Sequence, residues 1–136
     1  RVGYGVAHPE TITLFNRFQP PWQVNTLAQA AAAAVLQEEE YARRSRSFVE
    51  QQRTWLAEAL SSVPGLKVYP AEANYLLLGL LGSLTASDLA DAMARKGILV
   101  RDCSNFAFLD DRFIRVAVKD QAKNRLLVSE LQRSVR

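Results

Sequence analysis

Apolar residues recur along this chain with two spacings, one near four residues and one of two, and the places where the spacing changes mark out its elements. Val2 to Ala7 is a short, glycine-interrupted apolar run that predicts a buried strand. Pro9 follows at a position where a first helical turn tolerates proline, with Glu10 favourable at the positive end of the dipole. A short helix from Pro9 to about Phe18 is expected, stopped by Pro20-Pro21, with His8 as a loop or cap residue. Gln19 to Val24 then reads as an extended loop carrying Trp22, and Asn25 as the N-cap of an alanine-rich helix running to about Gln37.

The character changes near Glu39. Tyr41, Phe48, Trp55, Leu56, Leu60 and Val63 fall on one face at helical spacing, which predicts a long amphipathic helix with a core-facing stripe, ended by Pro64-Gly65. Two strand-like runs come next, Leu66 to Tyr69 and Ala73 to Leu80, with a turn around Pro70. A helix is expected from about Ser87 to Lys96, capped by Thr85 or Ser87. It carries Leu89, Ala92 and Met93 on its apolar face and ends at Gly97. Ile98 to Asp102 reads as a strand, Cys103 to Arg112 as a loop and Phe113 to Val118 as a strand. Asp120 can cap a last helix bearing Leu126, Leu127 and Leu131. Helices on one face of a mostly antiparallel sheet make a two-layer α+β domain. The shift near residues 37–40 divides the chain into 1–38 and 39–136.

Strand parity singles out two arginines. On the last strand Ile114, Val116 and Val118 point one way and Phe113, Arg115 and Ala117 the other, while on the strand before it Ile98, Val100 and Asp102 alternate with Leu99 and Arg101. If these strands are neighbours, two guanidiniums converge on one spot, and their planar forks suit a carboxylate or a phosphate. Parity alone leaves open that both are solvated arginines held by local carboxylates such as Asp102 and Asp110.

Composition narrows the function classes. Hydrophobic residues are 49% and charged residues 23%, a globular balance, and a net charge of +3 spread among interleaved acids is no footprint for nucleic acid. One cysteine, Cys103, and one histidine, His8, leave too few soft ligands for a structural zinc site, so no metal is expected. Cys103 reads as a small core residue. The apolar run from Ala28 to Leu36 is too short to span a bilayer, so neither a membrane nor a signal segment is expected and a cytoplasmic protein is. Because Arg1 stands where an initiator methionine would, the chain is expected to be the C-terminal piece of a longer polypeptide.

Several stretches carry a family likeness. Arg1-Val2-Gly3-Tyr4-Gly5 resembles the strand that follows the cofactor lysine in class I and II aminotransferases. Gly97 to Phe106 and Leu109 to Val118 resemble the small domain of threonine-phosphate decarboxylases, which are close in fold to histidinol-phosphate aminotransferases. So do Gln19 to Asn25, Pro64 to Pro70 and Ala73-Asn74-Tyr75. The resemblance implies a pyridoxal-phosphate enzyme whose large-domain tail is residues 1–38 and whose small domain is 39–136. Arg1 would hold the cofactor phosphate, and Arg101 and Arg115 the anionic ends of a small phosphorylated amino acid. No catalytic residue lies in this chain by that match; the Schiff-base lysine is expected upstream of Arg1, and the full-length protein is expected to be a homodimer. Ala107-Phe108 departs from the family, where many relatives carry a glycine in the loop. Lys67, Lys96, Lys119 and Lys123 match no cofactor lysine and read as surface residues.

In such enzymes the cofactor is the electron sink and the protein selects which bond at Cα breaks, by holding it perpendicular to the conjugated plane. The implied activity is decarboxylation of phosphothreonine in cobalamin synthesis. The alternatives are a histidinol-phosphate or related aminotransferase and, from another class, a free-standing α+β module binding a ligand or a protein. Without the lysine, the chain by itself is expected to be inactive.

Overall fold

The computed structural model describes residues 2–135, which fall into two compact units divided between Arg43 and Arg44. The first unit holds α1 (Pro9–Phe18) and α2 (Thr26–Val35). His8 Nδ1 accepts the Glu10 N–H at 3.4 Å and Asn25 Oδ1 accepts the Ala28 N–H at 2.8 Å, so both helices start at the caps their sequences offer. Residues 2–8 do not form the expected strand. A strand exists only through bonds to a neighbour, and none of the described residues pairs with this segment; Tyr4 and Val6 are almost fully exposed.

The second unit contains the core. Helix α3 (Glu39–Ser61) enters it and is followed by β1 (Leu66–Val68), β2 (Tyr75–Leu80), α4 (Ala86–Ala94), β3 (Arg101–Asp102), β4 (Phe113–Ala117) and α5 (Gln121–Ser134). The sheet order is β1-β2-β4-β3, and every neighbouring pair is antiparallel. One face is apolar: Leu66, Leu76, Leu78, Leu80, Ile114 and Val116 pack in a single core with Leu56, Leu60, Leu89, Met93, Leu127 and Leu131 of the helices. The result is the α+β fold expected from the pattern.

Two expectations about these elements change. The stripe on α3 is buried only towards its end, at Leu56, Leu60 and Val63, whereas Tyr41 is 62% and Phe48 47% exposed. A helix of 23 residues spans about 35 Å, and the six-residue β2 about 20 Å, so the sheet cannot cover the whole helix. The strand expected from Ile98 shrinks to Arg101–Asp102. The Ile98 N–H is committed to Met93 O at 3.0 Å, closing α4 through Gly97 at φ +75°, and is unavailable to β4. On α5, Leu127 and Leu131 are buried but Leu126 is half exposed.

Caps and one buried polar pair fix the remaining geometry. Thr85 Oγ1 accepts the Asp88 N–H at 3.2 Å to begin α4, and Asp120 Oδ1 accepts the Lys123 N–H at 3.0 Å to begin α5. Asn124 is buried on α5. Its amide donates to Gln52 Oε1 of α3 at 3.1 Å and to Lys119 O at 2.8 Å, while its oxygen accepts the Lys119 N–H at 3.0 Å. This joins the end of β4, the start of α5 and the middle of α3. No helix among the described residues is long and apolar enough to cross a membrane.

Candidate functional site

With α3, α4 and α5 packed on one face of the sheet, the odd-numbered residues of β2, β3 and β4 occupy the other. There Arg101 of β3 lies directly opposite Arg115 of β4, and Tyr75 of β2 lies opposite Ala117, one step along the same face. Opposed residues in an antiparallel pair have Cβ atoms about 5 Å apart. The two arginines, distant in sequence, therefore share one patch. The Arg115 guanidinium carbon stands 4.6 Å from the centre of the Tyr75 ring and 6.0 Å from that of Phe106, and Arg101 stands 5.4 Å from the same Phe106 ring. Arg101 Nη2 also donates to Asn105 Oδ1 at 2.9 Å.

Phe106 comes from the loop after β3, and the loop's own hydrogen bonds bring it back over the strands. Cys103 is fully buried; its N–H donates to Phe113 O at 3.0 Å, pinning the loop's start to β4. The Phe106 N–H then donates to Cys103 O at 2.9 Å and the Leu109 N–H to Phe106 O at 3.1 Å, two tight turns in succession. Burial pushes the Cys103 thiol above its usual range, with the charges of Arg115 and Arg101 pulling against it.

The local carboxylates are used elsewhere. Asp102 accepts the Ser104 N–H at 2.8 Å and Asp110 the Arg112 N–H at 2.9 Å. The bonds from Ser104 hold the Asp102 carboxyl below its ordinary range, with a smaller contribution from the Arg101 charge. Among the described residues, no carboxylate oxygen comes within 4 Å of a guanidinium nitrogen of Arg101 or Arg115. Arg112, in the same loop, is employed differently: it donates to Gly82 O and Leu84 O and lies beside Asp111. Two guanidiniums with no carboxylate oxygen within 4 Å among the described residues, backed by aromatic rings, are equipped to receive an anion from outside.

Arg101 and Arg115 thus stand together as strand parity anticipates. Arg1 lies outside the described residues. Parity could also have placed Tyr75 on this face; Asn105 and Phe106 sit in a loop without periodicity, and nothing in their spacing marks them.

The pyridoxal phosphate implied by the resemblance needs a cation for its phosphate and an amine for attachment. Lys67, Lys96, Lys119 and Lys123 are exposed, and none is among the groups around the arginine pair. Lys67 instead stands over the Tyr69 ring, and Lys96 and Lys123 pair with Glu130 and Asp120. The described residues therefore fit a substrate's anions and do not themselves fit the cofactor.

A histidinol-phosphate aminotransferase from Methanothermobacter thermautotrophicus is 35% identical over 132 residues, covering 96% of this chain and 35% of that protein. The structure of the histidinol-phosphate aminotransferase from Clostridium acetobutylicum superposes with a TM-score of 0.85 at 29% identity, over 93% of this chain and 38% of that one. The L-threonine-O-3-phosphate decarboxylase from Porphyromonas gingivalis also gives 0.85 at 29% identity, over 96% and 40%. The chain thus spans about a third of the length of the curated relatives it matches. These matches do not favour a free-standing binding module. Residues 1–131 match the family described as aminotransferase class I and II, whose members depend on pyridoxal phosphate, and the chain belongs to that family.

Proposed function

We propose that this chain forms the substrate-anion clamp of a pyridoxal-phosphate-dependent threonine-phosphate decarboxylase, which converts phosphothreonine to aminopropanol phosphate. In this reading residues 1–38 are the tail of the cofactor-binding domain and residues 39–136 the small domain. The observation that carries it is the register pairing of Arg101 with Arg115, neither having a carboxylate oxygen within 4 Å among the described residues. A substrate with a phosphate at one end and a carboxylate at the other can occupy both forks. The likeness to the P. gingivalis decarboxylase supports the choice.

Pyridoxal phosphate, when bound, supplies the sink for electrons released at Cα. The arginines contribute orientation: gripping both ends of the substrate fixes which bond at Cα is presented for cleavage. A tight salt bridge to the departing carboxylate would stabilise the ground state more than the transition state, so the stronger grip belongs on the phosphate. Arg115, flanked by two rings, is assigned that role.

Replacing Arg115 by Ala in the full-length enzyme removes charge-assisted hydrogen bonds, each contributing about 1.5–3 kcal/mol, and is expected to raise KM roughly ten- to a hundredfold. Unchanged kinetics in that variant would overturn the assignment. A histidinol-phosphate aminotransferase is the second reading, favoured by the 35% identity to the M. thermautotrophicus enzyme. The products separate them: carbon dioxide from phosphothreonine, or amino transfer from histidinol phosphate to 2-oxoglutarate.

A further inference from the structure

We propose that Phe106 is a positioning residue that holds Arg101 and Arg115 in one receiving arrangement before the substrate arrives. The proposal rests on reading the arginine pair as an anion clamp. Like charges placed directly opposite on antiparallel strands repel, and arginine side chains have many rotamers through which to swing apart. The face of an aromatic ring carries negative potential and attracts a guanidinium. Phe106 presents one ring to both, at 5.4 Å from Arg101 and 6.0 Å from Arg115. Among the described residues Phe106 is the only ring that Arg101 faces, whereas Arg115 also faces Tyr75.

The ring is itself held. The bonds from Phe106 N–H to Cys103 O and from Leu109 N–H to Phe106 O fix the backbone on both sides, and the neighbouring Asn105 takes a hydrogen bond from Arg101. The ordering of the two arginines is then largely complete in the free protein, and the substrate does not have to supply it. Phe106 acts through the arginines and needs no contact with the reacting atoms.

The test uses the full-length holoenzyme. Phe106→Leu keeps an apolar side chain of similar bulk but removes the ring; Phe106→Tyr keeps the ring. Converting two exposed cation–π contacts to a ratio predicts that the leucine variant raises KM for O-phospho-L-threonine about five- to twentyfold. The inhibition constant for inorganic phosphate should rise in parallel, with kcat nearly unchanged, because the contact is the same in ground and transition states. The tyrosine variant should restore both constants. In the wild-type enzyme the Nε–H resonance of Arg101 should show an upfield ring-current shift that disappears in the leucine variant, while that of Arg115, which still faces Tyr75, should persist in reduced form.

A leucine variant with wild-type KM and phosphate inhibition overturns the proposal, as does a tyrosine variant as impaired as leucine. Should the leucine variant fail to fold, the wild-type arginine resonances decide: unshifted positions overturn it. Arg115→Ala separates the two levels. If that variant loses phosphate inhibition while Phe106→Leu does not, only the role of Phe106 falls; if neither changes, the clamp falls as well.

Discussion

Helices α2 and α5 begin in the same way, with an Asn25 or Asp120 side chain accepting a backbone N–H three residues on, yet they end up in opposite circumstances. No residue of α2 is buried, nor any of α1, and Phe18, Leu27 and Leu36 stand largely in solvent. On α5, Asn124, Leu127 and Leu131 are buried against the sheet unit's core. A cap contributes about 1 kcal/mol and sets where a helix starts. Burial of a large aliphatic side chain contributes about 1.5–3 kcal/mol and fixes what the helix is attached to. Helix formation and membership of a core are therefore separate properties of a sequence, and residues 2–43 have the first without the second.

The widest test of that contrast is a pair of truncations. Leu60→Ala, in the core of the sheet unit, should cost about 2–5 kcal/mol in urea denaturation, whereas Phe18→Ala on α1 should stay within about 0.5 kcal/mol. Similar losses at both positions would erase the distinction. A smaller effect is expected at the buried polar pair. Asn124→Leu strips partners from Gln52 and from both backbone groups of Lys119, and should lower stability by about 1–3 kcal/mol in the same assay. A neutral result would mean that apolar packing alone joins α5 to α3.

The smallest effect is acid sensitivity, and it too belongs to the sheet unit. Asp120 is held below its ordinary range by hydrogen bonds from Lys123, Glu130 by its bond to Lys96 and Asp102 by those from Ser104. With folded values depressed, their stabilisation is complete above the unfolded carboxylate range, near about pH 4, and is lost as pH falls through the lower folded values. Melting temperatures should therefore decline below about pH 4. Asp120→Asn keeps a capping oxygen but cannot titrate, so its decline should be shallower. Parallel curves for variant and wild type would remove Asp120 from the account.

What the sequence made legible follows the same division. Periodicity located the buried residues of β4 and, at Leu89 and Met93, of α4, and period two put Arg101 and Arg115 on the face away from Ile114 and Val116, because in a one-sided sheet alternation is burial. Residues 2–7 read as a strand of the large domain, and with no neighbour among the described residues to bond with, they do not form one. Periodicity placed Tyr41 and Phe48 in the core, because helical spacing says which face is apolar and not how far the sheet reaches. Phe106 was out of reach for another reason. Its place over the arginines is decided by two turn hydrogen bonds and the anchored Cys103, and a loop has no period to read.

The pairing of Arg101 with Arg115 has a consequence for anyone who would re-engineer the specificity of this protein. The same register that sets these two opposite each other puts Asp102 opposite Ile114, and Ile114 is fully buried. Sliding β4 by one position would turn the Arg115 guanidinium into the core and Ile114 out of it. The chemistry of the patch can therefore be rewritten by exchanging side chains in place, while its coordinates are insured by the core beneath. A library built on positions 75, 101, 106 and 115 would vary what is bound without moving where it binds.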